Sequence, residues 1–185
     1  LLESLNTGKR GFDIELTMDE SEAVKDLSLL TFKPEIIVLN VAEDDYSGDR
    51  LGEFIDKYAQ AIGMPKELFV VISAKIEAEL ASLNEEEQLE YLKDLGLIHS
   101  GLERLIQKAY EGLGLISFLT AGEKEVRAWT IKKGINAQLA AGEIHTDFIK
   151  KFIKAEVVGY DSFVEFNGWK GSRENGKAMF EGRDY

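Results

Sequence analysis

The chain has 185 residues, 44% hydrophobic and 30% charged, with no cysteine and a formal net charge of −12. This excludes a disulfide framework, thiolate catalysis and a thiolate metal site. No apolar run approaches the roughly 20 residues that cross a bilayer, and nothing resembles a signal peptide, so the cytoplasm is the expected location.

The length suits one large domain or two small ones. Charge is unevenly placed: residues 1–117 hold 11 Lys+Arg against 24 Asp+Glu (−13), and residues 118–185 hold 11 against 10 (+1). The acidic part repels polyanions at long range, which leaves the second part as the place for nucleic-acid contact.

Residues 1–18 read as the end of a helix and a connector, and the chain begins on Leu1 in mid-element, as a fragment would. Thr17 is placed to cap a helix whose first turn is acidic, and Lys33-Pro34 ends it. Ile36–Leu39 is a short, continuous apolar run, which predicts a strand at 35–40 buried on both faces. It gives way abruptly to Asn40, Glu43, Asp44 and Asp45. A helix over about 49–62 follows, with Leu51, Phe54, Ile55, Tyr58 and Ile62 on one face and Gly63 and Pro65 as its stop. Leu68–Ile72 is a second buried strand, ending in Ser73-Ala74-Lys75-Ile76-Glu77. Strand, helix and strand with short links form a βαβ unit, so the strands are parallel and their carboxyl ends share one edge. Ligands bind at that edge in open α/β sheets.

Two more helices are expected, one from Glu85 to about 94 and one opened by Ser100-Gly101, with Leu102, Leu105, Ile106 and Ala109 inward. From Leu115 the segments shorten. Val126–Ile131 alternates as a half-buried strand, Gly134 turns, Ala140–Ile149 suits a short helix, and Phe152–Val158 alternates again. Residues 167–177 are rich in Gly, Asn and Lys, and Phe180–Tyr185 stops without a core strand. This second part reads as a small α+β domain, with the boundary near 115–118.

Several colinear blocks carry a resemblance. They are Lys33-Pro34, Asn40-Val41-Ala42-Glu43, Ser73-Ala74-Lys75-Ile76-Glu77-Ala78-Glu79-Leu80, Asp94-Leu95-Gly96-Leu97, Thr120–Ile131 and Ala140–Phe148. Together the chain resembles the C-terminal half of Obg-like ATPases of the YchF type, translation-factor-class P-loop proteins. The resemblance implies an α/β fold: residues 1–117 as the end of a helical arm and the latter part of a nucleotide-binding domain with a parallel sheet, and 118–185 as a β-grasp (TGS) domain lacking its last strand. The phosphate loop, switch segments and Mg²⁺ ligands precede this stretch in the family. The chain alone is therefore not expected to catalyse, whatever nucleotide hydrolysis the parent performs.

Asn-x-x-Glu at 40–43 is similar to the GTPase base-reading motif Asn-Lys-x-Asp, with Val41 in the place of Lys. A carboxylate suits the N1–H and N2 amine of guanine, whereas adenine offers an acceptor at N1 and a donor at N6. The resemblance implies that the main chain of Val41 reads adenine, with Asn40 shaping the loop, Glu43 in the acidic position, and Ser73 and Ala74 lining the base. Taken without the resemblance, Asn40 and Glu43 read as a polar strand terminus with a helix-start cap.

Elsewhere, His99 fits a surface or capping role and His145, beside Thr146 and Asp147, a structural hydrogen bond. Trp129 alternates with Arg127 and Ile131, which suits core packing or base stacking. Lys132-Lys133 and Lys150-Lys151-Lys154 are either solvated or, as the resemblance implies, contacts to ribosomal RNA. The expectation is thus part of a cytoplasmic, monomeric NTPase that binds ATP (or GTP) with Mg²⁺ and associates with the ribosome, not with a membrane. The alternative is a TGS-mediated RNA or ribosome adaptor, or a GTP-binding regulatory protein without significant hydrolysis.

Overall fold

The structure, a computed structural model, describes residues 1–185. It divides into two units, Leu1–Leu113 and Gly114–Tyr185.

The first unit opens with short helices α1 (Leu2–Asn6) and α2 (Met18–Lys25). Thr17 and Glu20 form a reciprocal capping box on α2, as its sequence predicts. Strands β1 (Ile37–Asn40) and β2 (Phe69–Ile72) pair in parallel, Ile37 opposite Phe69 through Asn40 opposite Ile72. The crossover is α3 (Gly48–Ile62), ended by Gly63 in the left-handed region (φ +73°) with its N–H on the Ala59 carbonyl. β2 runs directly into α4 (Ala74–Leu80), a helix the sequence reading did not separate from the strand end. Helices α5 (Glu85–Asp94) and α6 (Gly101–Leu113) follow. Asn84 and Glu87 build a second capping box at the acidic start of α5.

The core gathers Tyr46, Val71, Ile76, Leu80 and Leu92, with Leu51, Phe54 and Ile55 of α3 packed against it. Two expectations change. β1 is not buried on both faces: Val38 is 41% exposed, while Phe69, Val70 and Val71 are buried. The cause is that α3 and α6 both pack on β2, whereas no helix packs as extensively on β1. On α6, Leu105 and Ala109 are half-buried as expected, but Leu102 and Ile106 are exposed, and Gly101 and Arg104 join the inward face. Its rotation is set by Gly101, where a Cβ would lie 2.8 Å from Glu77 Oε1 and from the Tyr46 hydroxyl and 2.9 Å from Ile72 Cγ2.

In the second unit β3 (Leu115–Ala121) and β4 (Val126–Lys132) form an antiparallel hairpin. β3 was hidden in the sequence because its burial does not alternate cleanly. The single helix expected over 140–149 is two, α7 (Ala137–Ile144) and α8 (Thr146–Lys151). The break is His145, in extended conformation, whose Nδ1 accepts the Asp147 N–H at 3.2 Å. This is the structural hydrogen bond its neighbours suggest.

Strand β5 (Ala155–Val157) is shorter than the expected 152–158 and pairs antiparallel with β6 (Met179–Glu181). β6 itself lies where the reading expected no strand. Phe152 is buried in the approach to β5, and its carbonyl accepts from Arg183 Nε at 3.0 Å. The Gly/Asn/Lys-rich stretch is also structured: α9 (Tyr160–Glu165) and α10 (Trp169–Glu174) are separated by Asn167 and Gly168, both at positive φ. Composition there reports the turn between the helices, not the helices. Trp169 stacks edge-on to Phe163 and donates to the Ala121 carbonyl at 2.8 Å, tying α10 to β3. Arg173 grips Glu156 at 2.7 and 2.6 Å, and that guanidinium holds the Glu156 carboxyl below the usual range.

Candidate functional site

The residues singled out after the two parallel strands converge at one edge. The strand ladder continues one step past β1, because the Val41 N–H donates to the Ile72 carbonyl at 2.9 Å. One residue further on, the Ala74 N–H donates to Asn40 Oδ1, also at 2.9 Å. Glu43 then forms an ion pair with Lys75 across the gap between the loops. Asn40, Val41, Glu43, Ser73 and Ala74 are therefore neighbours, and Lys75 joins them.

Each is placed by its element. Asn40 ends β1 exposed, its side chain turned to the amide at the start of α4. Glu43 opens a short 3₁₀ turn, Glu43–Asp45, closed by hydrogen bonds from Asp45 N–H to Ala42 and from Tyr46 N–H to Glu43. Ser73 precedes α4 and is buried, 1% exposed, with its Oγ unpartnered. The hydrogen bond to Glu43 and its negative charge raise the Lys75 pKa above the ordinary value.

One part of the expected chemistry needs correction. The Val41 N–H faces Ile72, so it is not available to adenine N1 as the sequence reading supposed. Only the carbonyl of Val41 is left for a base.

Below the loops lies a polar network that sequence reasoning missed. Glu77 accepts from the Gly101 N–H at 2.7 Å and the Leu102 N–H at 3.2 Å, capping α6 from another helix. The Tyr46 hydroxyl reaches Glu77 at 3.5 Å and accepts from Arg104 at 2.9 Å, and Arg104 also donates to the Val71 carbonyl at 2.8 Å. Burial pushes the Tyr46 pKa up. The partners lie 24 to 58 residues apart in the chain, so no local pattern announces them.

Asn40, Ala74 and Lys75 are exposed on this edge. A cleft of about 280 Å³, lined in part by Arg10, Phe12, Pro34, Ile36 and Leu68, lies instead at the amino ends of the strands. The carboxyl edge is the better candidate, because parallel strands deliver loops and helix starts to that side.

In the second unit, Lys132, Lys133, Lys150, Lys151 and Lys154 are all exposed. Lys151 lies 3.9 Å from Asp147, and Lys154 sits 3.8 Å from the Phe180 ring centre. They occupy the end of β4, the last turn of α8 and the approach to β5. Trp129 is half-buried, bonded to Thr120 at 2.9 Å and covered on one face by Arg127 at 4.3 Å. His99 is exposed, 3.5 Å from Glu103.

The chain is similar to known proteins in sequence and in fold. The family model YchF-GTPase_C, described as a protein of unknown function, matches residues 115–185. The ribosome-binding ATPase YchF of Haemophilus ducreyi is 43% identical over 172 residues, 93% of this chain and 47% of that protein. That of Bacillus subtilis is 41% identical over 185 residues, all of this chain and 50% of the relative. Among solved structures, the YchF GTPase of Schizosaccharomyces pombe superposes with a TM-score of 0.79 at 33% identity, covering 97% of this chain and 48% of that one. The chain matches the C-terminal part of YchF proteins. Its α/β architecture with small sheets is similar to that of the YchF GTPase structure. The chain spans about half the length of the curated YchF relatives it matches.

Proposed function

We propose that the chain supplies the base-binding edge of a nucleotide hydrolase that associates with the ribosome, with ATP preferred over GTP. Under this reading residues 1–117 end a helical arm and continue as part of a P-loop nucleotide domain, and 118–185 form a TGS domain. The parent works in the cytoplasm as a monomer. The phosphates and Mg²⁺ are held by residues other than these.

The observation that carries the reading is the joining of the two post-strand loops by the Asn40–Ala74 hydrogen bond and the Glu43–Lys75 ion pair. Together they make one continuous lip at the carboxyl edge of a parallel strand pair, the position where α/β sheets bind nucleotides. The Val41 carbonyl supplies the discrimination. Adenine presents an N6 donor to an acceptor there, whereas guanine presents O6, a second acceptor. An unpaired, opposed polar group costs about 1–3 kcal/mol, roughly tenfold in affinity. Ala74, exposed at the start of α4, lines the other side of the base, with Ser73 buried beneath it.

Isothermal titration of the full-length protein with ATP and with GTP tests this. ATP is expected to bind about tenfold more tightly, and Asn40→Ala to weaken ATP by about tenfold as the two loops part. Clear GTP preference in the unaltered protein would sink the role of Val41.

The ribosome enters from the printed names of the relatives, ribosome-binding ATPases. The exposed Lys132, Lys133, Lys150, Lys151 and Lys154 are the cations of the less acidic unit that would meet ribosomal RNA phosphates. Reversing Lys150, Lys151 and Lys154 to Glu should abolish co-sedimentation with ribosomes at moderate salt. Binding by that variant that is unchanged and insensitive to salt would remove these lysines from the contact.

A further inference from the structure

We propose that Lys75 is a selectivity residue: it engages the Glu43 carboxylate and so keeps a guanine-matching acceptor away from the base. This rests on the reading above, in which the loop at 40–43 faces the nucleobase. Asn40-x-x-Glu43 places a carboxylate where it could accept from guanine N1–H and N2–H together. The three-residue turn at Glu43–Asp45 fixes the local backbone through two main-chain hydrogen bonds, so the side chain retains only its own rotamers. Within that reach the Glu43 carboxylate meets the Lys75 ammonium, from the first turn of α4 on the opposite loop. A carboxylate so engaged is not offered to guanine, and its charge is not offered to the acceptor edge of adenine. The lysine that Val41 displaces within the loop is in this sense supplied across the gap, where it serves the opposite preference.

The charges around the pair determine how the idea must be tested. Glu79, one turn further along α4, also attracts the Lys75 ammonium and accepts from the Tyr91 hydroxyl at 2.9 Å. Removing Lys75 therefore leaves two carboxylates, Glu43 and Glu79, beside any incoming nucleotide. Repulsion of the phosphates would weaken ATP and GTP by the same factor. The ratio of the two affinities cancels this common effect and isolates the base. Both partners are solvent-accessible, with 66% of the Lys75 and 40% of the Glu43 side chain exposed, so substitutions here leave the core intact.

The experiment is titration of ATP and GTP into the full-length protein and its Lys75→Gln, Lys75→Arg and Lys75→Gln/Glu43→Gln variants. Lys75→Gln should lower the ATP:GTP affinity ratio at least about threefold, because the freed carboxylate favours guanine and disfavours adenine on top of the common weakening. Lys75→Arg should keep the original ratio, since it preserves the ion pair. The double variant should return towards that ratio, because the freed carboxylate is gone. A ratio unmoved by Lys75→Gln overturns the proposal, whatever happens to the separate affinities. Asn40→Ala separates the two levels. If it weakens nucleotide binding while Lys75→Gln leaves the ratio unchanged, the selectivity role alone fails. If Asn40→Ala changes neither affinity, no base sits at this edge and both readings fail.

Discussion

Glu77→Ala should lower the unfolding free energy of residues 1–113 by about 2–4 kcal/mol, more than any other single polar truncation near the candidate site. One carboxylate takes the first two N–H groups of α6, from Gly101 and Leu102, and receives the Tyr46 hydroxyl. α6 has no other acceptor for the Gly101 amide, and Gly101 is buried. Loss of a helix cap costs about 1 kcal/mol, and a buried donor left without a partner costs about 1–3 kcal/mol more. Glu77→Gln keeps one oxygen for the Gly101 amide and should cost about 1 kcal/mol. Urea denaturation followed by far-ultraviolet circular dichroism reads the effect as a lower midpoint at unchanged slope. Both tryptophans, Trp129 and Trp169, lie in the second unit, so their fluorescence follows that unit separately. A loss for Glu77→Ala below about 0.5 kcal/mol would mean that solvent replaces the carboxylate without penalty, and that the network is not structural.

The second large effect is a pair of identical substitutions with opposite outcomes on one helix. A Cβ on Gly48 would stand 2.3 Å from the Gly96 carbonyl oxygen and 3.1 Å from its carbon. Both are main-chain atoms, so no rotamer change relieves the overlap. The Gly48 N–H donates to the Leu95 carbonyl at 2.9 Å, which prevents the two segments from simply separating. Gly48→Ala should therefore cost about 2–3 kcal/mol and displace the start of α3, adjacent to the loop that carries Glu43. At Gly52, one turn later, an added Cβ meets nothing within 4 Å. Gly52→Ala should stabilise the protein by about 0.5–1 kcal/mol through helix propensity alone. Thermal melts of the two variants beside the unaltered protein decide it. Equal behaviour of the two alanines would refute the close approach of α3 to the α5–α6 connection.

The contrast between what could and could not be read beforehand follows the range of the interactions. The parallel βαβ unit was legible because Ile36–Leu39, Leu68–Ile72 and the apolar stripe of α3 are local patterns, and Gly63 marks a stop within the same window. The Thr17 cap and the acidic start of α5 were visible because each lies within four residues of sequence, although Asn84 was not read as the second cap. The rotation of α6 was not, because it is dictated by Glu77 and Tyr46, which meet Gly101 only in the folded chain. Periodicity chose Leu102 and Ile106 as inward, and a polar network overruled it. In the second unit, His145 splits a helix that composition would continue, since its ring nitrogen competes for the Asp147 amide. The pairing of β5 with β6 joins segments more than 20 residues apart and leaves only three residues of alternation on each strand. At the candidate site the residues themselves were evident, as polar groups ending apolar strands. Their mutual contacts were not, because Asn40 and Ala74 are 34 positions apart and Glu43 and Lys75 32.

The side-chain oxygen of Asn40 takes an amide hydrogen that would otherwise belong to a strand partner, so the sheet is in effect extended beyond its last backbone rung. A loop tip of this kind commonly wanders among many shapes and must be stilled by whatever binds it. Here the stilling happens when the domain folds. A ligand that settles on this lip meets groups already in register, and little of its interaction energy is diverted into ordering the protein. The join between the two loops is thus built into the fold, made by one amide side chain at the end of a four-residue strand.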